Sequence, residues 1–223
     1  MATEPVDLPT PAPPAGVLRR VPQQDRGQRR IERILDAAAA VIGEVGVEAA
    51  STNAIAARAE TSVGSLYQFF PNKDAIVQAL AMRYTAMFGR LKETILAADV
   101  ADQPLDAMMR GIVEPIAAFC DEHPAYRHVF AAGTTPGSEA AAADAALHAT
   151  VVNRVEALVA RRMPWVAPAQ RRATAVVQVE TVHAVLFHVQ GLPAAERPPL
   201  RRELVRQLVA ALEPFDRERP AVA

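Results

Sequence analysis

Residues 62–73 read Ser-Val-Gly-Ser-Leu-Tyr-Gln-Phe-Phe-Pro-Asn-Lys. Ser62, Ser65 and Tyr67 bring hydroxyls, Gln68 an amide and Lys73 an ammonium into one short stretch. These side chains donate and accept hydrogen bonds, and they include neither a nucleophile–base pair nor a metal-ligand set. Their chemistry is recognition. Val63 and Gly64 keep the first turn small, so that a backbone can come close to a groove wall or a phosphate. Lys73 opens the following helix, where its charge and the positive end of the helix dipole would both favour a phosphate.

The surrounding pattern supplies the elements that must hold these groups. Ile31, Ile34, Leu35, Ala38, Ile42 and Val45 recur at three and four, one apolar stripe on a helix from Arg26, with Gly46 suited to its end. Ser51 is the expected N-cap of a short helix carrying Ile55, Ala56 and Ala59. After Glu60-Thr61-Ser62 a second short helix runs from Val63 to about Phe70, capped by Ser62, with Leu66 and Phe70 facing the core together. Asn72 then caps a long helix marked by Ile76, Val77, Leu80, Tyr84, Met87, Phe88, Leu91 and Ile95. Two short helices joined by a tight break commonly present the second one to the DNA major groove.

Charge and composition fit that reading. The 223 residues are 51% hydrophobic and carry a formal net charge of -1. Yet Arg19, Arg20, Arg26, Arg29, Arg30 and Arg33 face only Asp25 and Glu32 over residues 19–33, a local basic footprint. Prolines 5, 9, 11, 13, 14 and 22 exclude a helix before that, so residues 1–24 are expected to be a disordered arm. The single cysteine, Cys120, excludes a disulfide framework. There is neither a signal-peptide pattern nor an apolar run long enough for a membrane span, so a cytoplasmic protein without membrane partners is expected.

Residues 52–74, Thr-Asn-Ala-Ile-Ala-Ala-Arg-Ala-Glu-Thr-Ser-Val-Gly-Ser-Leu-Tyr-Gln-Phe-Phe-Pro-Asn-Lys-Asp, resemble the DNA-binding signature of the TetR family of bacterial regulators. The features are Ile-Ala before the turn, Ser-x-Gly-x-Leu-Tyr-x-x-Phe, and the lysine after it; the resemblance covers roughly residues 26–80. It implies that Ser62, Ser65, Tyr67 and Lys73 contact phosphates and that Val63, Gly64 and Gln68 face bases. Ser51 and Thr52 would begin the helix that crosses the backbone. Glu60 departs from the pattern, standing where the family often has glycine; a positive φ there would strain it. The second helix carries neither arginine nor asparagine, so sequence preference would lean on Gln68, thymine methyls, water and DNA shape.

The rest of the chain reads as helices: one through Leu105–Phe119 that Pro115 should kink, then about 139–162, 167–190 and 199–212. The residues 133–138 between them are expected to form a loop. The expected architecture is all-α. An arm (1–24) precedes a helix-turn-helix DNA-binding domain (25–72), a larger helical regulatory and dimerisation domain (73–215) and a flexible tail (216–223). The resemblance implies that the last two helices pair in a homodimer, which a pseudo-palindromic operator of double-stranded DNA requires. Met108, Met109, Phe119, Phe130, Trp165 and Phe187 are candidates to line a pocket for a small-molecule effector, or ordinary core.

The five histidines are not spaced for a metal. His183 and His188 lie about 140° apart around a helix, too far to share an ion. With no His-Glu-x-x-His and no Gly-rich phosphate loop, no catalytic residue, metal or cofactor is assigned and no enzyme activity is expected. The expected function is a sequence-specific repressor released from its operator by a small apolar ligand. The alternatives are an activator of the same family and a helical ligand-binding protein with weakened DNA binding.

Overall fold

The computed structural model describes residues 25–132 and 137–218. The expected arm, with Arg19 and Arg20, lies outside the described residues, as do residues 133–136 of the expected loop and residues 219–223 of the expected tail.

Among the described residues there is no strand. The chain forms α1 (Asp25–Ala49), α2 (Thr52–Arg58), α3 (Val63–Phe69), α4 (Lys73–Ile95), α5 (Leu105–Glu122), α6 (Pro124–Ala131), α7 (Glu139–Arg162), α8 (Pro168–Gln190) and α9 (Arg197–Arg217). Short 3₁₀ turns stand at Ala98–Asp102 and Ala194–Glu196. None of these helices is long and apolar enough to cross a membrane.

The helices divide between two compact units, one built from the described parts of Met1–Gly89 and His128–Asp144, the other from Arg90–Arg127 and Ala145–Ala223. In the first unit, α1 packs on α2 and α2 on α3. The stripe Ile31, Ile34, Leu35, Ala38 and Ile42 is fully buried, as its spacing requires. Val45 is a correction: it is 53% exposed. Gly46 follows it at φ 79 and ψ 169, a backbone only glycine adopts readily, and the helix breaks direction there before resuming to Ala49. The stripe therefore loses its facing surface one turn early. In α4, Ile76, Leu80, Tyr84, Phe88 and Ile95 are buried, while Val77, Met87 and Leu91 lie at the margin of the core.

In the second unit, α5 packs against α8 and α9, and α8 against α9. Met108, Met109, Val113, Ile116, Phe119 and Cys120 form the buried side of α5, and Leu204, Val205, Leu208 and Leu212 that of α9. α5 continues through Pro115 as one helix. The carbonyl that the proline ring leaves unpaired belongs to Gly111, an exposed residue, so water can donate to it. The last helix begins at Arg197 and runs to Arg217, longer than its leucine spacing marks, because the flanking turns carry polar residues that a helix accepts as readily. Arg162 braces this unit, donating to the Ala101 carbonyl at 2.9 Å and gripping Asp216 at 3.0 and 3.1 Å.

Candidate nucleic-acid interface

Three caps build the site. Ser51 Oγ accepts the Ala54 N–H at 3.1 Å and starts α2. Ser62 Oγ accepts the Ser65 N–H at 3.1 Å and starts α3, while the Ser62 hydroxyl also donates to Ser65 Oγ at 2.9 Å. Asn72 Oδ1 accepts the Ala75 N–H at 2.8 Å and starts α4. Each satisfies one backbone donor that a helix start would otherwise leave bare.

The turn between α2 and α3 is closed by two backbone bonds. The Thr61 N–H reaches the Ala56 carbonyl at 3.0 Å and the Glu60 N–H the Ala57 carbonyl at 3.1 Å. This is the Schellman pattern, which puts one residue in the left-handed region. That residue is Glu60, at φ 51, the one non-glycine with positive φ among the described residues. The expected strain is therefore present.

α3 is held by its apolar side. Leu66 and Phe70 are fully buried and Phe69 nearly so, which anchors a helix of seven residues that could not persist alone. Its other side faces outward: Ser62, Gly64, Tyr67 and Gln68 are exposed, and Val63 and Ser65 are half-buried. A Cβ on Gly64 would meet nothing nearer than Ser62 Oγ at 4.0 Å, so nothing in the protein itself requires glycine there.

Two further contacts fix α2 and α3 in place. The hydroxyls of Thr52 and Tyr67 lie 3.2 Å apart, joining the start of α2 to the middle of α3. At the other end of α2, Arg58 grips Glu44 of α1 with bonds of 2.8 and 2.9 Å. That pair, fourteen residues apart, has no local sequence signature. Lys73 does not simply stand at the start of α4. Its Nζ donates to the Val47 carbonyl at 2.8 Å and the Glu48 carbonyl at 3.1 Å, closing the frayed end of α1. An ammonium has three donors, so one remains for an external acceptor.

All nine residues expected at the interface thus lie within α2, α3 or their caps, or at the first position of α4. The pocket candidates do not gather in this way. Met108 and Met109 line a cavity of about 30 Å³ with Ile112, Leu158, Met163 and the buried amide of Gln178. Phe119 instead packs edge-on to His123 and Tyr126. Trp165 donates to the Phe215 carbonyl at 2.9 Å, and Phe187 meets the His183 ring. Phe130 lies in α6, half-buried.

Residues 34–80 match the family model of bacterial regulatory proteins of the tetR family, and residues 104–212 that of the tetracyclin repressor-like C-terminal domain. The chain belongs to the TetR family. Over 83 residues it is 35% identical to the HTH-type transcriptional repressor KstR of Mycolicibacterium smegmatis, an alignment covering 37% of this chain and 41% of that one. A second KstR, from Mycobacterium tuberculosis, is 34% identical over 83 residues, covering 37% and 38%. The chain thus spans about two fifths of the length of the curated relatives it matches. A TetR-family transcriptional regulator from Streptomyces coelicolor superposes with a TM-score of 0.56 at 25% identity, covering 83% of this chain and 99% of that one. A transcriptional regulator from Rhodococcus sp. Rha1 shares the fold with a TM-score of 0.62 at 20% identity, over 86% and 99%.

Proposed function

We propose that this TetR-family chain is a transcriptional repressor that binds a pseudo-palindromic operator as a homodimer and leaves it when a small apolar ligand binds. The observation that carries the reading is α3 itself: Leu66, Phe69 and Phe70 anchor it from beneath while Ser62, Gly64, Tyr67 and Gln68 face outward. In this reading Ser62, Ser65, Tyr67 and the third donor of Lys73 take phosphates, and Val63, Gly64 and Gln68 meet base edges. Ser51 and Thr52 hold the start of α2 against the backbone. Residues 25–72 serve as the DNA-binding part and 73–215 as the regulatory part.

A homodimer is supported by what α8 and the start of α9 leave uncovered: Val177 is 63% exposed, Val176 36% and Leu200 38%. Apolar residues exposed in neighbouring helices fit a self-complementary two-fold face. The effector site is assigned to the Met108–Met109 cavity. At about 30 Å³ it holds the volume of one water. A ligand must therefore open it, which the three methionines around it allow by changing rotamer. Ligand binding would favour a dimer state whose recognition helices no longer match successive major grooves, about 34–36 Å apart. It can do so only by its differential affinity for the two states. The chain binds this ligand and does not transform it, and it acts in the cytoplasm, where its DNA is.

The test is fluorescence anisotropy on the DNA flanking the chain's own gene, with excess unrelated competitor and varied salt. Tight, competitor-resistant, salt-sensitive binding is expected. If neither that DNA nor sites selected from random sequence are bound above competitor, the DNA reading is wrong. The chain is then a helical ligand-binding protein, a reading that the strained, negatively charged Glu60 beside α3 favours.

A further inference from the structure

A groove of about 720 Å³ runs between α5 and α9, well apart in sequence from the residues assigned to DNA. Its size falls within the roughly 300–1,000 Å³ usual for small-molecule sites. Val113 of α5 and Val205 and Val209 of α9 supply apolar walls. Charged side chains rim it, and they are not spread evenly.

The arrangement of the two helices separates those charges. Asp121, near the end of α5, accepts from Arg197 at 2.7 Å and Arg201 at 2.8 Å, near the start of α9, so the helices run antiparallel. One end of the groove therefore carries Arg201 and Arg202, and the other Asp106 and Glu213. Arg202 and Glu213 are separated by about 16 Å along α9. Arg110 is paired with Asp106, and Arg206 with Glu203, so neither is free for a ligand. Arg201 uses a terminal nitrogen for Asp121, but its Nε–H is buried without an acceptor. Arg202 is exposed and has no ion pair among the described residues. Two adjacent guanidinium groups suit a carboxylate.

The groove is also distinct from the surface assigned to pairing. At 3.6 residues per turn, Arg202, Val205 and Val209 lie roughly 180° around α9 from Leu200, Gln207 and Ala211. A partner seated on Leu200 leaves this side open.

We propose that the α5–α9 groove binds a small amphipathic carboxylate, its hydrocarbon chain along Val113, Val205 and Val209 and its head group at Arg201 and Arg202. At the other end Arg110 and Arg217 are held by Asp106 and Glu213, so no free guanidinium there competes for the head group, and one orientation is set. This site does not depend on the DNA reading, nor on the Met108–Met109 cavity.

The test is calorimetric titration of the full chain with decanoate, with decanol and acetate as controls. Decanoate is expected to bind at least tenfold more tightly than decanol, and acetate not measurably, since both chain and charge are needed. Arg202→Ala, which removes an exposed side chain and keeps the fold, should weaken decanoate about tenfold, or 1.4 kcal/mol. Val209→Asp should abolish binding while leaving the Met108–Met109 cavity intact. Decanol binding as well as decanoate overturns the proposal, as does the absence of decanoate binding. So does decanoate binding that both variants leave unchanged, because the chain then sits elsewhere.

Discussion

Lys73 reaches back from the start of α4 to the carbonyl of Val47, 26 residues earlier, with Nζ 2.8 Å from the oxygen. A second bond of 3.1 Å to the Glu48 carbonyl makes the ammonium a cap for the end of α1. Its removal should therefore be felt twice. Lys73→Ala should lower the melting temperature by about 2–4 °C, the effect of losing roughly 1 kcal/mol in a chain of this size. If Lys73 also takes a phosphate, the variant should reduce the salt slope of DNA binding by about 0.9. Loss of stability with an unchanged slope would leave Lys73 a cap and nothing more.

Glu60 sits at φ 51 in the turn that aims α3. Glu60→Gly relieves a backbone cost of about 1–2 kcal/mol but frees the unfolded chain by about 0.4–1 kcal/mol. Stability should therefore rise by somewhere between zero and about 1.6 kcal/mol, measured by urea unfolding. DNA affinity should rise, because a negative charge beside the phosphates is gone, and the gain should shrink as salt is added. Weaker binding would mean that Glu60 makes a favourable contact of its own.

Gly64 offers a separation of stability from recognition. The surroundings have room for a methyl group, and alanine is the better helix former by about 1 kcal/mol. Gly64→Ala should melt no lower than the parent. It should nonetheless bind operator DNA less tightly, because the added methyl group stands on the outward side of α3. Parental affinity in the variant would show that DNA does not come close to this turn.

Asp121 ties α5 to α9, and its titration should shape the acid limb of stability. Burial pushes its carboxyl up, but hydrogen bonds and charge from Arg201 and then Arg197 outweigh this and hold it below the usual carboxylate range. A folded-state value below the unfolded one means that the unfolded chain binds the proton more readily. The contribution is thus complete at neutral pH and is lost as pH falls below about 4, through the lowered folded value. The side chain is 38% exposed, so the effect is modest. Asp121→Asn should lower the urea midpoint at pH 7 and narrow its gap to the parent at pH 3. An equal gap at both values would assign the loss to packing.

Cys120 should be inert. It is 4% exposed, and burial pushes its thiol up to about 11, with the Asp121 charge adding to the shift. Little thiolate exists at neutral pH, and little of it is reachable. Iodoacetamide should label the native chain far more slowly than the urea-unfolded one. Comparable rates would mean that the α5–α8–α9 packing opens readily.

Much of this protein was already determined by local pattern. The apolar spacing of Ile31 to Ile42, the caps Ser51, Ser62 and Asn72, and the Leu66–Phe70 pair are contacts within a few residues, so a linear reading finds them. The same holds for α3 and its outward polar face, because a seven-residue helix has only one way to bury Leu66, Phe69 and Phe70. The departure at Glu60 was visible as a residue type, though only the Schellman turn gives it a positive φ. What the tertiary structure decided are relationships between distant residues. The exposure of Val45 depends on the break at Gly46, and the use of Lys73 depends on where α1 ends. The scattering of Phe119, Trp165 and Phe187 away from Met108 and Met109 depends on how long helices rotate against one another. The polarised groove needs α5 and α9 side by side and antiparallel, an arrangement held by Asp121 and two arginines about eighty residues further on. Helical periodicity specifies which residues share a face; it carries no information about which face of another helix they will meet.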